Sequence, residues 1–580
     1  MNKFMKRLLY ICIFFLFCCY TDAQTKDIKL KLVETSDIHG DFYSYDFEDM
    51  VERTGGLEGV YGYLKEQRKT YGKNLLYFDN GDILQGQPTS YYYNFVDTVS
   101  THLAASILNF MGCNAASFGN HDVETGHKVY DRWKKDCNFP LLGANIIELK
   151  TGKPYLKPYT IIERKGVKIA VFGMITPAIP MWLSEELFSG LYFEDMLICA
   201  KTWIPYIREK EKPDLIVGLF HAGVKSTLLA NKYNEDFSQV VAQQVPGFDI
   251  VMTGHDHVKA LYKVKNVEGD SVLILNPASR GSYAAVADVV LTKAENGSWN
   301  KKINGSLVKM KGYAENGPEF RNHFQKQFQA VYDFSTKKIG RITCPFSDVD
   351  SYLGPSALID FIHQIQLDVT KADISFTAPL TLNSDIPEGD LYVSDMFKLY
   401  KYENGLYIMR LKGREVKGAL EMSYALWTNQ MKSPDDHILL IDRRNSDNQH
   451  FFFKNFSFNF DSAAGIIYTV DVTKPAGEKI TILSLADGKP FDLDKDYKVA
   501  INSYRGNGGG ELLTVGAGIP LRELRHRIIS IEEHDLRYYM INYITEKGTI
   551  NPQPLNQWKF VPESWAVPAI ARDRSLLFNR

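Results

Sequence analysis

The stretch Phe118-Gly119-Asn120-His121-Asp122 is the most informative part of the sequence, because an apolar run ends there in a glycine, an amide, an imidazole and a carboxylate. Four further stretches place similar side chains directly after apolar runs. In chain order they are Asp37-Ile38-His39, Asp79-Asn80-Gly81-Asp82, Phe220-His221-Ala222 and Thr253-Gly254-His255-Asp256-His257. Short apolar runs bounded by turn residues are typical of buried strands. The repeated pattern predicts an α/β fold with polar side chains at the carboxyl end of each strand.

These polar side chains are expected to form one metal site, because open α/β sheets bind ligands at the carboxyl ends of their strands. Taken singly, Asp82 is more often a turn aspartate and His221 more often a buried core histidine. Together the five stretches favour two cations that share one carboxylate, since seven ligands are too many for one tetrahedral site. Oxygen and imidazole ligands without thiolate suit zinc, manganese, iron or cobalt, and the choice stays open.

Composition excludes several classes of protein. The 580 residues are 45% hydrophobic and 23% charged, which argues against wholesale disorder and against a polytopic membrane protein. The formal net charge is −2, so no basic excess exists to bind the phosphate backbone of a nucleic-acid polymer. Four cysteines beyond the first 23 residues, Cys113, Cys137, Cys199 and Cys344, show no metal or redox spacing. A Cys113–Cys137 bridge is one alternative, and buried free thiols are the favoured one.

Residues 1–23 predict a signal peptide. Three basic residues precede an uncharged run from Leu8 to Tyr20, which is shorter than the roughly 20 residues that span a bilayer. Cleavage is expected after Ala23, and lipidation at Cys18 or Cys19 is the less favoured alternative. The protein is therefore expected in the periplasm or at the cell surface of a bacterium, with no stable membrane anchor.

Apolar periodicity predicts two domains. Residues 27–308 alternate strands and helices. The predicted strands are Lys29–Thr35, Leu75–Phe78, Lys168–Gly173, Leu215–Phe220 and Asp249–Thr253, and the predicted helices are Leu57–Thr70, Val99–Met111 and Leu197–Glu209. Residues 309–338 predict a linker helix, with a helical patch at Phe320–Tyr332. Residues 339–580 predict a second domain, with helices Ser356–Thr370 and Ser394–Tyr400 and strands Gly405–Leu411 and Gly465–Val472.

The motif set D-x-H, G-D, G-N-H-D, H and G-H-x-H resembles the metallophosphoesterase domain, and the two-domain chain resembles the exported 5′-nucleotidase and cyclic-phosphodiesterase family. The resemblance implies a four-layered α/β/β/α sandwich followed by an α+β substrate-binding domain. It implies that one metal is held by Asp37, His39, Asp82 and His257, and the second by Asp82, Asn120, His221 and His255. It also implies that His121 is the catalytic histidine and that Asp122 orients its ring.

The resemblance implies hydrolysis by attack of a metal-activated hydroxide on phosphorus. His121 is then expected to stabilise the transition state and to protonate the leaving ribose oxygen. A small-molecule nucleotide is the expected partner, and a monomer is the expected state. A surface binding module that keeps metals for structure is disfavoured, because Asn120-His121-Asp122 is intact.

The second domain carries two stretches that suggest nucleotide binding. They are Phe458-Asn459-Phe460-Asp461 and Asn502-Ser503-Tyr504-Arg505-Gly506. Composition alone favours core aromatics, since the chain holds 34 Phe and 33 Tyr. By resemblance, Phe458 and Tyr504 match a base-stacking pair, and Arg505 is a candidate contact to phosphate whose alternative is a structural role.

The same stretches resemble the 2′,3′-cyclic-nucleotide 2′-phosphodiesterase/3′-nucleotidase branch of the family. A 5′-nucleotidase that also cleaves nucleotide sugars is the alternative. One departure bears on this choice. Relatives often carry an arginine-containing loop before an Ile-Pro-x-Gly turn, whereas residues 376–385, ahead of Ile386-Pro387-Glu388-Gly389, hold no arginine.

Overall fold

The computed structural model describes residues 27–225, 233–380, 382, 384–443 and 451–578. The predicted signal peptide lies outside the described residues, as do Thr381 and Asn383 of the arginine-free stretch. None of the helices in the described part of the chain is both long and apolar enough to cross a membrane. Cys113, Cys137, Cys199 and Cys344 are free thiols, as favoured from the sequence, although only Cys113 and Cys199 are fully buried.

The first domain contains two six-stranded sheets packed face to face. Each has a parallel centre, with antiparallel strands at one or both edges. In spatial order, the first sheet is Trp299–Lys309, Tyr283–Lys293, Ile28–Thr35, Leu75–Asp79, Ala115–Ser117 and Leu141–Leu142. The second sheet is Lys259–Lys265, Ser271–Pro277, Ile250–Thr253, Leu215–His221, Val167–Ile175 and Tyr159–Arg164.

Helices cover the outer face of each sheet. Those on the first sheet include Gly56–Tyr71, Leu103–Met111 and His127–Asp136, and those on the second include Met196–Glu211 and Ser238–Gln244. Successive side chains of a strand point to opposite faces, so Leu32 enters the core between the sheets and Val33 enters the core under the helices. The predicted α/β/β/α sandwich is confirmed. The central strands are apolar because both of their faces are buried, and the polar residues are confined to the loops that come after them.

The segment between the domains differs from the single linker helix that was predicted. The strand Trp299–Lys309 is followed by two helices, Pro318–His323 and Gln325–Ser335. Phe320 and Phe324, four residues apart on one face, are buried in the core of the first domain. The segment therefore packs as part of that domain's helical layer.

The second domain is an α+β unit, as predicted. Its main sheet has the order Ser462–Ala464, Ile374–Thr377, Asp496–Asn502, Gly405–Lys412 and Ile528–Asp535. A smaller sheet has the order Ile480–Leu485, Ile466–Asp471 and Trp558–Val561, and another has the order Gly389–Tyr392, Lys338–Ile342 and Thr549–Ile550. The principal helices are Ala357–Thr370, Val393–Leu399, Gly413–Trp427, Leu536–Lys547 and Glu563–Phe578.

Side-chain contacts join the two domains. Lys398 pairs with Asp49 at 3.1 Å, and the side-chain amide of Asn507 donates to the carbonyl of Trp182 at 3.1 Å. Arg537, which is fully buried, lies over the ring of Tyr91 from the first domain. The helix Leu536–Lys547 of the second domain thus contributes part of the domain interface through Arg537.

Candidate dinuclear active site

The five polar loops meet where the parallel strands of both sheets end. Asp37 and His39 follow Ile28–Thr35, and Asp82 follows Leu75–Asp79. His221 is the last residue of its strand, and His255 follows Ile250–Thr253. The ligand atoms fall into two groups, each within 4.8 Å: Asp37, His39 and His257 form one, and Asp82, His221 and His255 form the other.

The backbone of these loops adopts left-handed conformations at several non-glycine residues, a form of strain that is common at functional sites. Five of the predicted ligands have positive φ, a conformation that costs a non-glycine residue of order 1–3 kcal/mol. They are Asp37 (53°), His39 (51°), Asp82 (55°), His255 (76°) and His257 (56°). Positive φ at the strand ends turns the chain sharply, so each side chain points into the shared space rather than along the sheet.

Two glycines permit this close approach. A Cβ atom on Gly119 would lie 2.0 Å from Oδ1 of Asp82, and one on Gly254 would lie 2.0 Å from Oγ of Ser36. Neither neighbour can move without displacing a site residue. Glycine is therefore required at both positions by the packing of the polar loops.

The first ligand group has the donor chemistry of a cation site. Nδ1 of His39 faces the carbonyl of Gln85 at 3.2 Å, which leaves Nε2 facing Nε2 of His257 at 3.0 Å. Nε2 of His257 also lies 3.2 Å from Oδ1 of Asp37. Burial and the nearby His257 lower the pKa of His39 to about 3, so its ring is neutral near pH 7. Two ring nitrogens and a carboxylate that converge in this way fit a divalent cation.

The second group is organised around Asp82. Oδ1 of Asp82 accepts the backbone N–H of His121 at 2.8 Å, whereas Oδ2 is buried and lies 3.2 Å from Nε2 of His221. Oδ2 has no well-aligned hydrogen bond among the described residues, and its contact is this ion pair with His221. A buried carboxylate oxygen held only by charge is suited to a cation. Asp82 therefore fits the predicted shared carboxylate.

The side-chain amide of Asn120 lies between the two histidines of the second group. Its Oδ1 lies 3.1 Å from Nε2 of His221 and 2.8 Å from Nδ1 of His255. Although burial disfavours the charged ring, the carboxylates of Asp82 and Asp37 raise the pKa of His221 to about 10. The raised pKa reports a strongly negative potential, which favours cations at this position.

His121 lies beside the ligand groups but belongs to neither. It sits in the short helix Asn120–Glu124, with its ring centroid 5.3 Å from that of His39. Its Nδ1 contacts Oε2 of Glu124 at 2.5 Å. Although burial disfavours protonation, the carboxylates of Asp82 and Glu124 raise the pKa of His121 to about 9. A protonated imidazole is thus present at the cavity near neutral pH.

The prediction that Asp122 orients His121 is wrong. The carboxylate of Asp122 accepts the backbone N–H groups of Gly119, Asp82, Ile83 and Leu84 at 2.8–2.9 Å. It therefore clamps the Asp82 loop to the start of the helix. The carboxylate that holds the imidazole is Glu124, which was not predicted although its i, i+3 spacing from His121 is a signal for one helix face.

A cavity opens between the two domains beside these groups. Its polar lining from the first domain includes Asn120, His121, Glu124, Glu235 and His255. Four aromatic side chains line it, namely Trp182, Tyr402, Phe458 and Tyr504, together with the amides Asn404 and Asn502 and with Leu183 and Leu380. Of the predicted substrate-binding residues, Phe458 and Tyr504 are thus brought to the predicted metal ligands. Their rings are perpendicular, with centroids 6.1 Å apart.

Arg505 is not part of this cavity, and its prediction as a substrate contact is wrong. The residue is 1% exposed. All five of its N–H donors are used, by Asp461, Asn459 and the carbonyls of Gly509 and Phe458 at 2.5–3.1 Å. Arg505 therefore ties the loop of Phe458 to the loop of Tyr504. The sequence gives no signal for this pairing, since Asp461 lies 44 residues away.

Family models match both domains. Residues 30–259 match the calcineurin-like phosphoesterase model, and residues 338–516 match the model of the 5′-nucleotidase C-terminal domain. A solved structure from Staphylococcus aureus has a TM-score of 0.75 at 20% identity and covers 92% of this chain and all of that one, which shows a shared fold.

Curated relatives match along most of the chain. A 2′,3′-cyclic-nucleotide 2′-phosphodiesterase/3′-nucleotidase of Yersinia enterocolitica is 25% identical, over 93% of this chain and 89% of its own length. A trifunctional nucleotide phosphoesterase protein of Bacillus subtilis is 27% identical over 94% of this chain. The match covers only 40% of that protein, which is much longer. A 5′-nucleotidase of Vibrio cholerae is 32% identical, over 85% of this chain and 88% of its own length.

The resemblance seen in the sequence is thereby confirmed over both domains. The cavity between them is lined by polar residues of the first domain and aromatic residues of the second. The chain belongs to the 5′-nucleotidase family, whose metallophosphoesterase domain is followed by a 5′-nucleotidase C-terminal domain.

Proposed function

We propose that this protein hydrolyses phosphate esters of nucleosides, with 2′,3′-cyclic nucleotides and nucleoside 3′-phosphates as favoured substrates. One observation carries the proposal: His255 of the second ligand group, Asn120 and His121 line the same cavity as Phe458 and Tyr504. A phosphate at the ligand groups and a base at the aromatic side chains can therefore belong to one molecule. The name of the Yersinia relative supports the choice of ester.

Two divalent cations are the proposed cofactors, and zinc, manganese, iron and cobalt all suit the donors. Asp37, His39, Asp82 and His257 would hold one cation, and Asp82, Asn120, His221 and His255 the other. When bound, such a pair activates water for attack on phosphorus and neutralises charge on the phosphoryl oxygens.

His121 would transfer a proton to the leaving oxygen. Its pKa of about 9 keeps the ring protonated near pH 7, and Glu124 engages the ring through Nδ1, which leaves Nε2 to give the proton. The proton then neutralises the alkoxide of the ribose as the P–O bond breaks. Asp122 contributes by holding the Asp82 loop in register with the helix of His121.

The base would stack on Phe458 and Tyr504. Phe458 already stacks on Phe456 at 5.2 Å, with the planes 8° apart, so its orientation is supported from outside the cavity. Arg505 fixes the backbone between the two loops. The rings of Tyr504 and Phe458 are perpendicular, so they cannot both stack on a base as they stand. A base would stack on the face of one ring, and the other ring would rotate to lie parallel to it.

Tyr504→Ala is expected to raise KM for 3′-AMP roughly 10- to 100-fold, since base–aromatic stacking contributes about 1–3 kcal/mol. Hydrolysis of p-nitrophenyl phosphate, which has no nucleobase, should change little. Steady-state kinetics with both substrates checks this. Tyr392→Ala, at a half-exposed ring outside the cavity, is the control. Equal losses on both substrates would contradict base stacking.

The substrate proposal is tested by rates with 2′,3′-cyclic AMP, 3′-AMP and 5′-AMP, using metal-reconstituted protein and a chelator control. The proposal predicts higher kcat/KM for the first two. Preference for 5′-AMP would favour the second candidate, a 5′-nucleotidase that also cleaves nucleotide sugars, which the Vibrio relative supports. No hydrolysis of any of the three would overturn the proposed function.

We place this activity outside the cytoplasm, in the periplasm or at the cell surface, because residues 1–23 have the pattern of a signal peptide. We further propose that the protein acts as a monomer. Both domains of one chain line the cavity, so the proposed reaction needs no residue from a second copy.

A further inference from the structure

The two ring nitrogens of His255 have different surroundings. Nδ1 lies 2.8 Å from Oδ1 of Asn120, and the same oxygen lies 3.1 Å from Nε2 of His221. Three of the ligands proposed for the second cation therefore bring their donor atoms together on this side of the ring. On the other side, Nε2 of His255 contacts Oε1 of Glu235 at 3.0 Å. One nitrogen thus faces the proposed cation site, and the other faces a carboxylate.

Two other predicted histidine ligands have neutral partners at their second ring nitrogen. Nδ1 of His221 contacts the backbone carbonyl of Asn80 at 2.6 Å, and Nδ1 of His39 contacts the carbonyl of Gln85 at 3.2 Å. Any such acceptor fixes the tautomer of a ligating histidine, but a carboxylate also makes the opposite nitrogen a better donor to a cation. Glu235 therefore offers an effect that these neutral carbonyls do not.

The ring of His255 is also held by aromatic neighbours. The indole of Trp182 is tilted by 35° to it, with centroids 5.4 Å apart, and the ring of His221 lies 5.6 Å away at 62°. The side chain of Glu235 is 21% exposed, so solvent screens its contact with Nε2 only partly. Packing and a hydrogen bond together keep a ligand in the orientation that a cation requires.

A cation held directly by Glu235, Asp236 and Nε2 of His255 is the alternative use of these groups, since their ligand atoms lie within 4.8 Å of one another. Asp236 is less available for it, because Oδ1 accepts the backbone N–H of Gly223 at 3.0 Å and lies 4.0 Å from Nε2 of His255. The separation of 3.0 Å between Nε2 and Glu235 is that of an N–H···O bond. The hydrogen bond is therefore the favoured arrangement.

We propose that Glu235 is a positioning residue for the second cation. Its carboxylate accepts the N–H at Nε2 of His255, which keeps the proton there and leaves the lone pair of Nδ1 for the metal. This inference rests on the two cations of the proposed function. Glu235 acts through His255, by orienting the ring and by strengthening Nδ1 as a donor. Its loss weakens the second cation selectively, because His255 is not among the ligands proposed for the first.

Titration of chelator-stripped protein with Co²⁺, followed by calorimetry and by the absorption of the bound ion, measures both affinities without any substrate. Glu235→Gln keeps the size of the side chain and an acceptor oxygen but removes the charge, so the affinity for the second cation is expected to fall about tenfold. Glu235→Ala also removes the acceptor and is expected to lower that affinity by up to about 100-fold. The affinity for the first cation should be unchanged in both variants.

Asp131→Asn is the matched control, because Oδ2 of Asp131 contacts Nδ1 of His127 at 3.0 Å in a histidine–carboxylate pair outside the ligand groups. This variant should bind both cations as the wild-type protein does. His221→Ala removes another ligand of the second cation and so identifies the step of the titration that belongs to it. The spectrum of the second Co²⁺ should change in the Glu235 variants and stay the same in Asp131→Asn.

Unchanged affinity for the second cation in both Glu235 variants would overturn the inference, and so would an equal loss of affinity for both cations. Three cations in the wild-type protein, one of them absent from Glu235→Gln, would overturn it in favour of a cation held directly by Glu235. Because the titration contains no nucleotide, a failure to hydrolyse nucleotides would overturn the proposed function alone. A selective loss of the second cation would still support the role of Glu235.

Discussion

Asp82→Asn is expected to lower kcat for nucleotide hydrolysis by about 10³-fold or more, because a catalytic cation supplies several kcal/mol of transition-state stabilisation. Oδ2 of Asp82 is buried, lies 3.2 Å from Nε2 of His221 and belongs to the second ligand group. An amide removes the charge that both cations would share. Metal content, measured by mass spectrometry of the dialysed protein, is expected to fall with the rate.

Asp79→Asn is the matched control for Asp82→Asn. Asp79 is also fully buried, three residues earlier, and Oδ2 accepts the hydroxyl of Thr35 at 2.7 Å. Burial raises the pKa of Asp79 to about 8, so this side chain is mostly uncharged at pH 7 and an amide resembles it. Rate and metal content should stay within about threefold of wild type. Equal losses in both variants would indicate a general structural defect and would contradict the special role of Asp82.

His121→Ala is expected to lower kcat by about 10²- to 10⁴-fold, the range for loss of a general acid. Both cations should remain bound, because His121 belongs to neither ligand group. Kinetics with 3′-AMP and metal analysis of the same sample check the two parts together. His127→Ala, at a partly exposed ring on the next helix, is the control. Full turnover without His121 would remove it from the mechanism.

Glu124→Gln separates the orienting carboxylate from the acid itself. Loss of its charge lowers the pKa of His121, so the protonated form disappears at lower pH. A general acid acts only while it is protonated, and the alkaline limb of the kcat profile should therefore move to lower pH. At pH 7 we expect a loss of about tenfold, smaller than that of His121→Ala.

Much of the site could be predicted because each ligand directly follows an apolar strand. Asp37, His221 and His255 come from three such strands, and the rule that parallel strands end at one edge brings them together without knowledge of the fold's details. The two-residue spacing of Asp37 and His39 also predicted that both side chains lie on the same side of an extended chain and can bind one cation. The packing of the segment after residue 309 had a signal as well, since Phe320 and Phe324 repeat at helical spacing.

The contacts of Asp122 and Arg505 and the lining of the cavity could not be predicted, because neighbours in the sequence do not reveal where side chains point in the fold. Asp122 is next to His121 in the chain, but successive residues of a helix point about 100° apart, and Glu124 faces the ring instead. Arg505 lies beside Tyr504 in sequence, yet Asp461 captures its guanidinium inside the domain. The cavity also includes Trp182 and Tyr402, which come from loops of different domains and share no pattern.

The central claim is that two cations held by these loops hydrolyse nucleotides, and the most direct measurement is a metal titration of activity. Protein stripped with a chelator is supplied with increasing manganese or zinc, and hydrolysis of 2′,3′-cyclic AMP is followed together with the bound metal. We predict no activity without metal and a rate that reaches its plateau at two cations per chain. A full rate in the stripped protein, or a plateau at one cation, would contradict the account.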